Sequence, residues 1–168
     1  MSTHLPRLLA ITLLFACAAT HAGGLQLPGR VLRVIDGDSL VLDVRGSQYQ
    51  VELAGIDAPE LDQPWGPVAA ERLYTLLTGA FIVVDAAGTV GYQPVIGSVV
   101  FSGRDVALGQ LYDGLAWSTS GAGPQSPHAN NTYADAQAQA RAARRGLWSD
   151  EHPIPPWEWR RPNPRDMP

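Results

Sequence analysis

Residues 34–60 read VIDGDSLVLDVRGSQYQVELAGIDAPE. Val and Leu alternate with polar residues over 39–44 (SLVLDV), and again from Tyr49 to Ile56, which predicts two strands. Asp36-Gly37 is a hairpin signal that joins the first of them to residues 29–34 (GRVLRV). Arg45-Gly46-Ser47 makes a second turn, and Pro59 is expected to end the strand that reaches Ile56. Three acidic residues, Asp38, Asp57 and Glu60, fall at strand ends beside these turns. Such a set suits a hard cation, which takes oxygen ligands. A purely structural reading stands beside it: Asp36 and Asp38 shape the hairpin turn, and Asp57 makes an Asx turn before Ala58-Pro59.

Downstream, Gly66-Pro67 predicts the start of a helix running to about Thr78, with Pro67 in the first turn and Gly79 as its stop. Residues 80–84 (AFIVV) and 95–101 (VIGSVVF) predict two further strands. Asp105 is placed to cap a short helix ending at Gly114, and Thr132 to cap a last helix running to Arg145. Residues 118–131 read as a loop, and a Pro-rich tail from Asp150 carries Trp157 and Trp159. Five short strands with about three helices predict a small β-barrel with helices packed on it. No internal repeat or second domain is evident.

Composition narrows the class further. The chain has 168 residues, 12 of them basic and all arginine, against 16 acidic ones. Arg7, the apolar residues 8–19 and Thr20-His21-Ala22 read as a secretory signal over residues 1–22, too short to span a bilayer. Cleavage there predicts export to the periplasm or the medium and leaves 11 arginines against 16 acids, a net charge of −5. Cys17, after Leu14-Phe15-Ala16, offers a lipid anchor as the alternative. Without Cys17 the mature chain has no cysteine, which excludes a disulfide or a thiolate metal site. An acidic surface opposes a polyanion unless the arginines cluster locally. Arg141, Arg144 and Arg145 form one cluster, read as a solvated helix end. His128 and His152 are isolated and lack metal-ligand spacing. A monomer is expected, and residues 162–168 are expected to be a disordered tail.

A set of motifs in fixed order resembles the staphylococcal-nuclease-like, or thermonuclease, family. They are Asp36-Gly37-Asp38-Ser39, LAGIDAPE at 53–60, Gln63-Pro64-Trp65-Gly66, Gly114-Leu115-Ala116-Trp117, Gly146-Leu147-Trp148 and Pro156-Trp157-Glu158-Trp159-Arg160. The resemblance covers about residues 29–161 and implies an OB-fold, a five-stranded barrel with about three helices, over a domain at 23–161. It also implies hydrolysis of phosphodiester bonds in single-stranded DNA or RNA with Ca²⁺. By the same resemblance Asp38, Asp57 and the Ala58 carbonyl would hold the cation, and Glu60 would be the general base. Ala58 stands where the family has threonine, which keeps the carbonyl and loses a hydroxyl.

The pattern breaks at two positions. Glu52 replaces one family arginine and Pro94, in Tyr92-Gln93-Pro94, replaces the other. No arginine or lysine occurs between Arg72 and Arg104 to compensate. Phosphoryl transfer rests on positioning and charge stabilisation, so losing one transition-state donor costs ~10²–10³ in rate and a phosphate-clamping arginine as much as ~10³–10⁵. A carboxylate at position 52 that faced a phosphate ~5 Å away would repel it by roughly 3 kcal/mol at an effective dielectric of ~20. The expectation is a weakly active or inactive member of the family. The alternatives are an active endonuclease with a rearranged phosphate clamp, supplied for instance by Arg33, Arg45 or Arg104, and a non-catalytic OB-fold module that binds another ligand. Trp157 and Trp159 are expected to pin the tail to the barrel.

Overall fold

The computed structural model describes residues 25–87, 94–119 and 130–161. The signal segment, Cys17, Tyr92-Gln93, His128 and residues 162–168 lie outside them. Strands β1 (Leu25–Val34), β2 (Ser39–Val44) and β3 (Ser47–Leu53) form an antiparallel meander. A two-residue strand β4 (Ile56–Asp57) and helix α1 (Gly66–Leu77) lead to β5 (Phe81–Ala86) and β6 (Val95–Phe101). Next come β7 (Arg104–Asp105), α2 (Val106–Tyr112), β8 (Trp117–Ser118), α3 (Asn130–Ala142) and the single-turn helix α4 (Pro156–Trp159).

The sheet order is β3-β2-β1-β5-β6-β7, and a parallel pairing of β3 with β6 joins its two sides. Five strands, β1, β2, β3, β5 and β6, thus close into the mixed barrel expected of an OB-fold. Closure removes the free edges that would otherwise template aggregation. Alternate residues point inward, so Val31, Leu40, Leu42, Val51, Val84 and Val99 fill the barrel and are almost fully buried. From α1, Ala69, Leu73 and Leu77 seal one end of this core. A smaller cluster of Trp117, Ala140, Leu147 and Trp148, with Trp65 against it, lies beneath the C-terminal segment.

The strand expected to run to Ile56 stops at Leu53 instead. Gly55 has φ 82°, a turn conformation, and the chain re-pairs as β4 with β8, Asp57 opposite Trp117. The last helix starts at Asn130 rather than Thr132 and ends at Ala142, because Arg144 turns left-handed at φ 51°. Asp105 caps α2 as expected: its Oδ1 accepts from the Leu108 N–H at 3.0 Å. Residues 156–159 add a fourth helix that the sequence reading did not include. No described helix is long and apolar enough to cross a membrane.

A candidate carboxylate site closed by the C-terminal helix

The β1–β2 turn separates the work of its two aspartates. Asp36 is buried, and its Oδ1 accepts from the Ser39 hydroxyl at 2.6 Å, the Ser39 N–H at 2.8 Å and the Asp38 N–H at 3.1 Å. It therefore fixes the turn, as the structural reading of that residue expects. Gly37 between them packs so closely that an added Cβ would lie 2.5 Å from the Ala69 Cβ and 2.7 Å from the Ala58 Cβ. The buried Gln110 amide donates to the Gly37 carbonyl at 2.5 Å and the Ala69 carbonyl at 3.1 Å, tying the turn to α1.

Asp38 is thereby left to face the β4 segment. Its Oδ2 accepts from the Ala58 N–H at 2.8 Å. Desolvation raises its pKa well above the ordinary aspartate value, and the neighbouring Asp36 and, more weakly, Asp57 push the same way. Asp57 and Glu60 meet a residue that sequence reasoning missed, Arg160. Arg160 Nη2 donates to Asp57 Oδ2 at 2.6 Å, and Nη1 donates to Asp57 Oδ1 at 3.2 Å and to Glu60 Oε1 at 2.8 Å. These are a forked and a single charge-assisted bond, the strong class of hydrogen bond.

A hollow of about 170 Å³ opens at this point, lined by Asp36, Asp38, Glu52, Asp57 and Arg160 among others. Glu52 lies on β3 opposite Ser39, so its side chain takes its place on the hollow rather than away from it. Pro94 precedes β6 and does not line the hollow. Neither do Arg33, Arg45 and Arg104, the sequence candidates for a replacement clamp, which are exposed elsewhere. Arg141 and Arg144 are exposed at the end of α3, in line with a solvated cluster, and the Arg141 and Arg145 guanidiniums also stack on Trp148 at 3.8 Å and on Tyr112 at 4.0 Å.

Arg160 is held in place by the chain that carries it. Gln63 is buried, its Oε1 accepts from the Glu60 N–H at 3.2 Å, and its Nε2 donates to the Ile154 carbonyl at 2.6 Å. Trp65 Nε1 donates to Asp150 at 3.0 Å and Trp159 Nε1 to Asp62 at 3.2 Å. Trp157 meets the edge of Trp117 with ring centroids 6.3 Å apart. Trp159 thus pins the segment to the turn after Glu60 and Trp157 holds it against Trp117 of β8, in line with the expectation that both fix the tail. The signal that pointed to Arg160 was its place in the Trp-Glu-Trp-Arg motif, which carried no hint that the side chain reaches back about 100 residues.

The donors present suit a hard divalent cation. Asp38 and Asp57 offer carboxylate oxygens, and their mutual repulsion is what such an ion relieves. As the side chains stand, no three His, Cys, Asp or Glu groups among the described residues form a ready-made metal cluster. Arg160 already takes both Asp57 oxygens and Glu60.

A closed mixed barrel with an acidic hollow at the β1–β2 turn defines a protein of the thermonuclease type. The family described as staphylococcal nuclease homologue matches residues 50–150. The chain is 33% identical over 145 residues to Protein ParB of Escherichia coli, covering 81% of this chain and 80% of that protein. It is also 33% identical over 146 residues to an uncharacterized endonuclease of Escherichia coli (86% and 87%). With a micrococcal nuclease of Shigella flexneri it shares 32% over 143 residues (79% and 80%). The chain belongs to the staphylococcal nuclease homologue family.

Proposed function

We propose that this protein is an exported, Ca²⁺-dependent phosphodiester hydrolase of single-stranded nucleic acid that works slowly. The convergence of Asp38 and Asp57 on one hollow, with Glu60 joined to Asp57 through Arg160, is the observation that supports the reading. Asp38, Asp57 and the Ala58 carbonyl would hold the ion, which when bound supplies charge neutralisation at phosphate oxygens. Glu60, buried and fixed through its own N–H by Gln63 and through its carboxylate by Arg160, is the base that takes a proton from the attacking water. The water oxygen then bonds to phosphorus as the bond from phosphorus to the leaving ribose oxygen breaks, and that oxygen takes a proton from solvent. The slowness follows from position 52. Where the family resemblance asks for a cation, Glu52 adds a negative charge to a hollow already lined by three aspartates. A second reading, a non-catalytic barrel that prefers an uncharged or cationic ligand, is favoured by that same excess of carboxylates.

Cleavage of single-stranded DNA by the mature chain, with Ca²⁺ or with chelator and beside Glu60→Ala, tests the reading. The expected result is Ca²⁺-dependent cutting, ~10²–10³ below an arginine-complete relative and lost in the variant. No cutting at any enzyme concentration would favour the binding module. Export is tested separately by sequencing the N-terminus of the mature protein, expected to begin after Ala22.

A further inference from the structure

We infer that Arg160 is the phosphate-binding arginine of this site, brought in on the C-terminal helix rather than on the barrel strands. The inference rests on the phosphodiesterase reading for its ligand class, a singly charged phosphodiester. A phosphate entering a hollow lined by four carboxylates needs a cation that touches it, and Arg160 is the one cation among the described lining residues. The other described arginines are engaged or turned elsewhere. Arg30 donates to the Gly79 carbonyl and Arg72 pairs with Asp113, Arg141 and Arg145 lie on aromatic rings, and Arg33, Arg45, Arg104, Arg144 and Arg161 are exposed and do not line the hollow.

The donor arithmetic permits the role. A guanidinium has five N–H donors in a fixed fork. Arg160 gives both Nη1 hydrogens and one Nη2 hydrogen to Asp57 and Glu60, which leaves Nε–H and one Nη2–H without a partner among the described residues. Its side chain is 33% exposed, against 16% for Asp57 and 11% for Glu60, so a ligand reaches the guanidinium from the open side. The fork is positioned rather than swinging: the segment that carries it is tied down at Gln63, Trp65, Asp62 and Trp117. The two remaining donors, Nε–H and one Nη2–H, form the guanidinium edge opposite the Nη1 hydrogen that Glu60 takes, so a diester there would not displace Glu60.

The test is calorimetric binding of a phosphorothioate-bridged dithymidine to the mature chain with Ca²⁺ held constant. Arg160→Gln and Arg160→Lys are compared with Arg161→Gln, which removes the same charge one residue away on an exposed side chain. Melting temperatures with and without Ca²⁺ establish that each variant is folded. The expected outcome is an affinity loss of about 10–100-fold for Arg160→Gln and a smaller loss for Arg160→Lys, which keeps the charge without the fork. Arg161→Gln should change affinity by less than about threefold. Unchanged or tighter binding by Arg160→Gln would overturn the inference and make Arg160 a plug for the cation site. Absence of binding by the unmodified chain would overturn it as well. Arg160-dependent binding without any cleavage would leave the inference standing and remove the nuclease reading.

Discussion

Asp36 accepts three hydrogen bonds from its own turn, whereas Asp38, two residues on, sits among other carboxylates and accepts one. The consequence for pH follows from the direction of the Asp38 shift. Its folded-state pKa lies above the ordinary value of ~3.9, so the folded protein holds that proton more tightly than the unfolded chain. Ionised Asp38 therefore costs stability at neutral pH, and the cost fades as pH falls through the raised pKa. Asp38→Asn is expected to raise the melting temperature of the Ca²⁺-free protein at pH 7, by roughly 3–5 °C per kcal/mol recovered. It should also abolish any stabilisation by added Ca²⁺, and scanning calorimetry with and without the ion checks both effects. These aspartates, with Asp57 and Glu60, were readable from the sequence because each abuts a turn signal within one 27-residue stretch. Arg160 was not, since an ion pair between residues about 100 apart leaves no local pattern.

Among the elements, β2 and β6 keep the bounds expected of them, whereas β1 begins four residues earlier, at Leu25, and β5 runs on to Ala86. The breaks were less visible. The end of β3 at Leu53 depends on the left-handed Gly55 and on a pairing with β8, a long-range competitor that no window over residues 47–57 contains. The start of α1 is likewise a tertiary matter. Trp65 is left-handed at φ 72°, and an added Cβ at Gly66 would lie 1.7 Å from the Glu60 carbonyl oxygen. Gly66→Ala is expected to destabilise the protein by at least about 3 kcal/mol, measured by urea unfolding, since backbone rather than a flexible side chain stands in the way. Gln63→Leu removes the amide that serves both the Glu60 N–H and the Ile154 carbonyl. A loss of about 1–3 kcal/mol is expected. Hydrogen exchange should rise in the Pro156–Trp159 turn but not in β2, which distinguishes a released tail from general weakening.

For the whole molecule, charge is the governing quantity. A chain of formal net charge −4 with one arginine on the hollow cannot track a nucleic-acid backbone by diffuse attraction. Single-strand binding should therefore depend weakly on salt, with a slope of log affinity against log salt near −0.7, the value for one neutralised phosphate. A slope steeper than about −3 would mean that several arginines outside the hollow take part.

The acidic half of the hollow and its arginine also emerge from synthesis at different times. Asp38, Asp57 and Glu60 are made about 100 residues before Arg160. At 5–20 residues per second the nascent chain carries the carboxylates uncountered for about 5–20 s. A product released early from a broken message can hold the strands of the barrel and still lack the guanidinium, so the site is complete only once translation has passed residue 160.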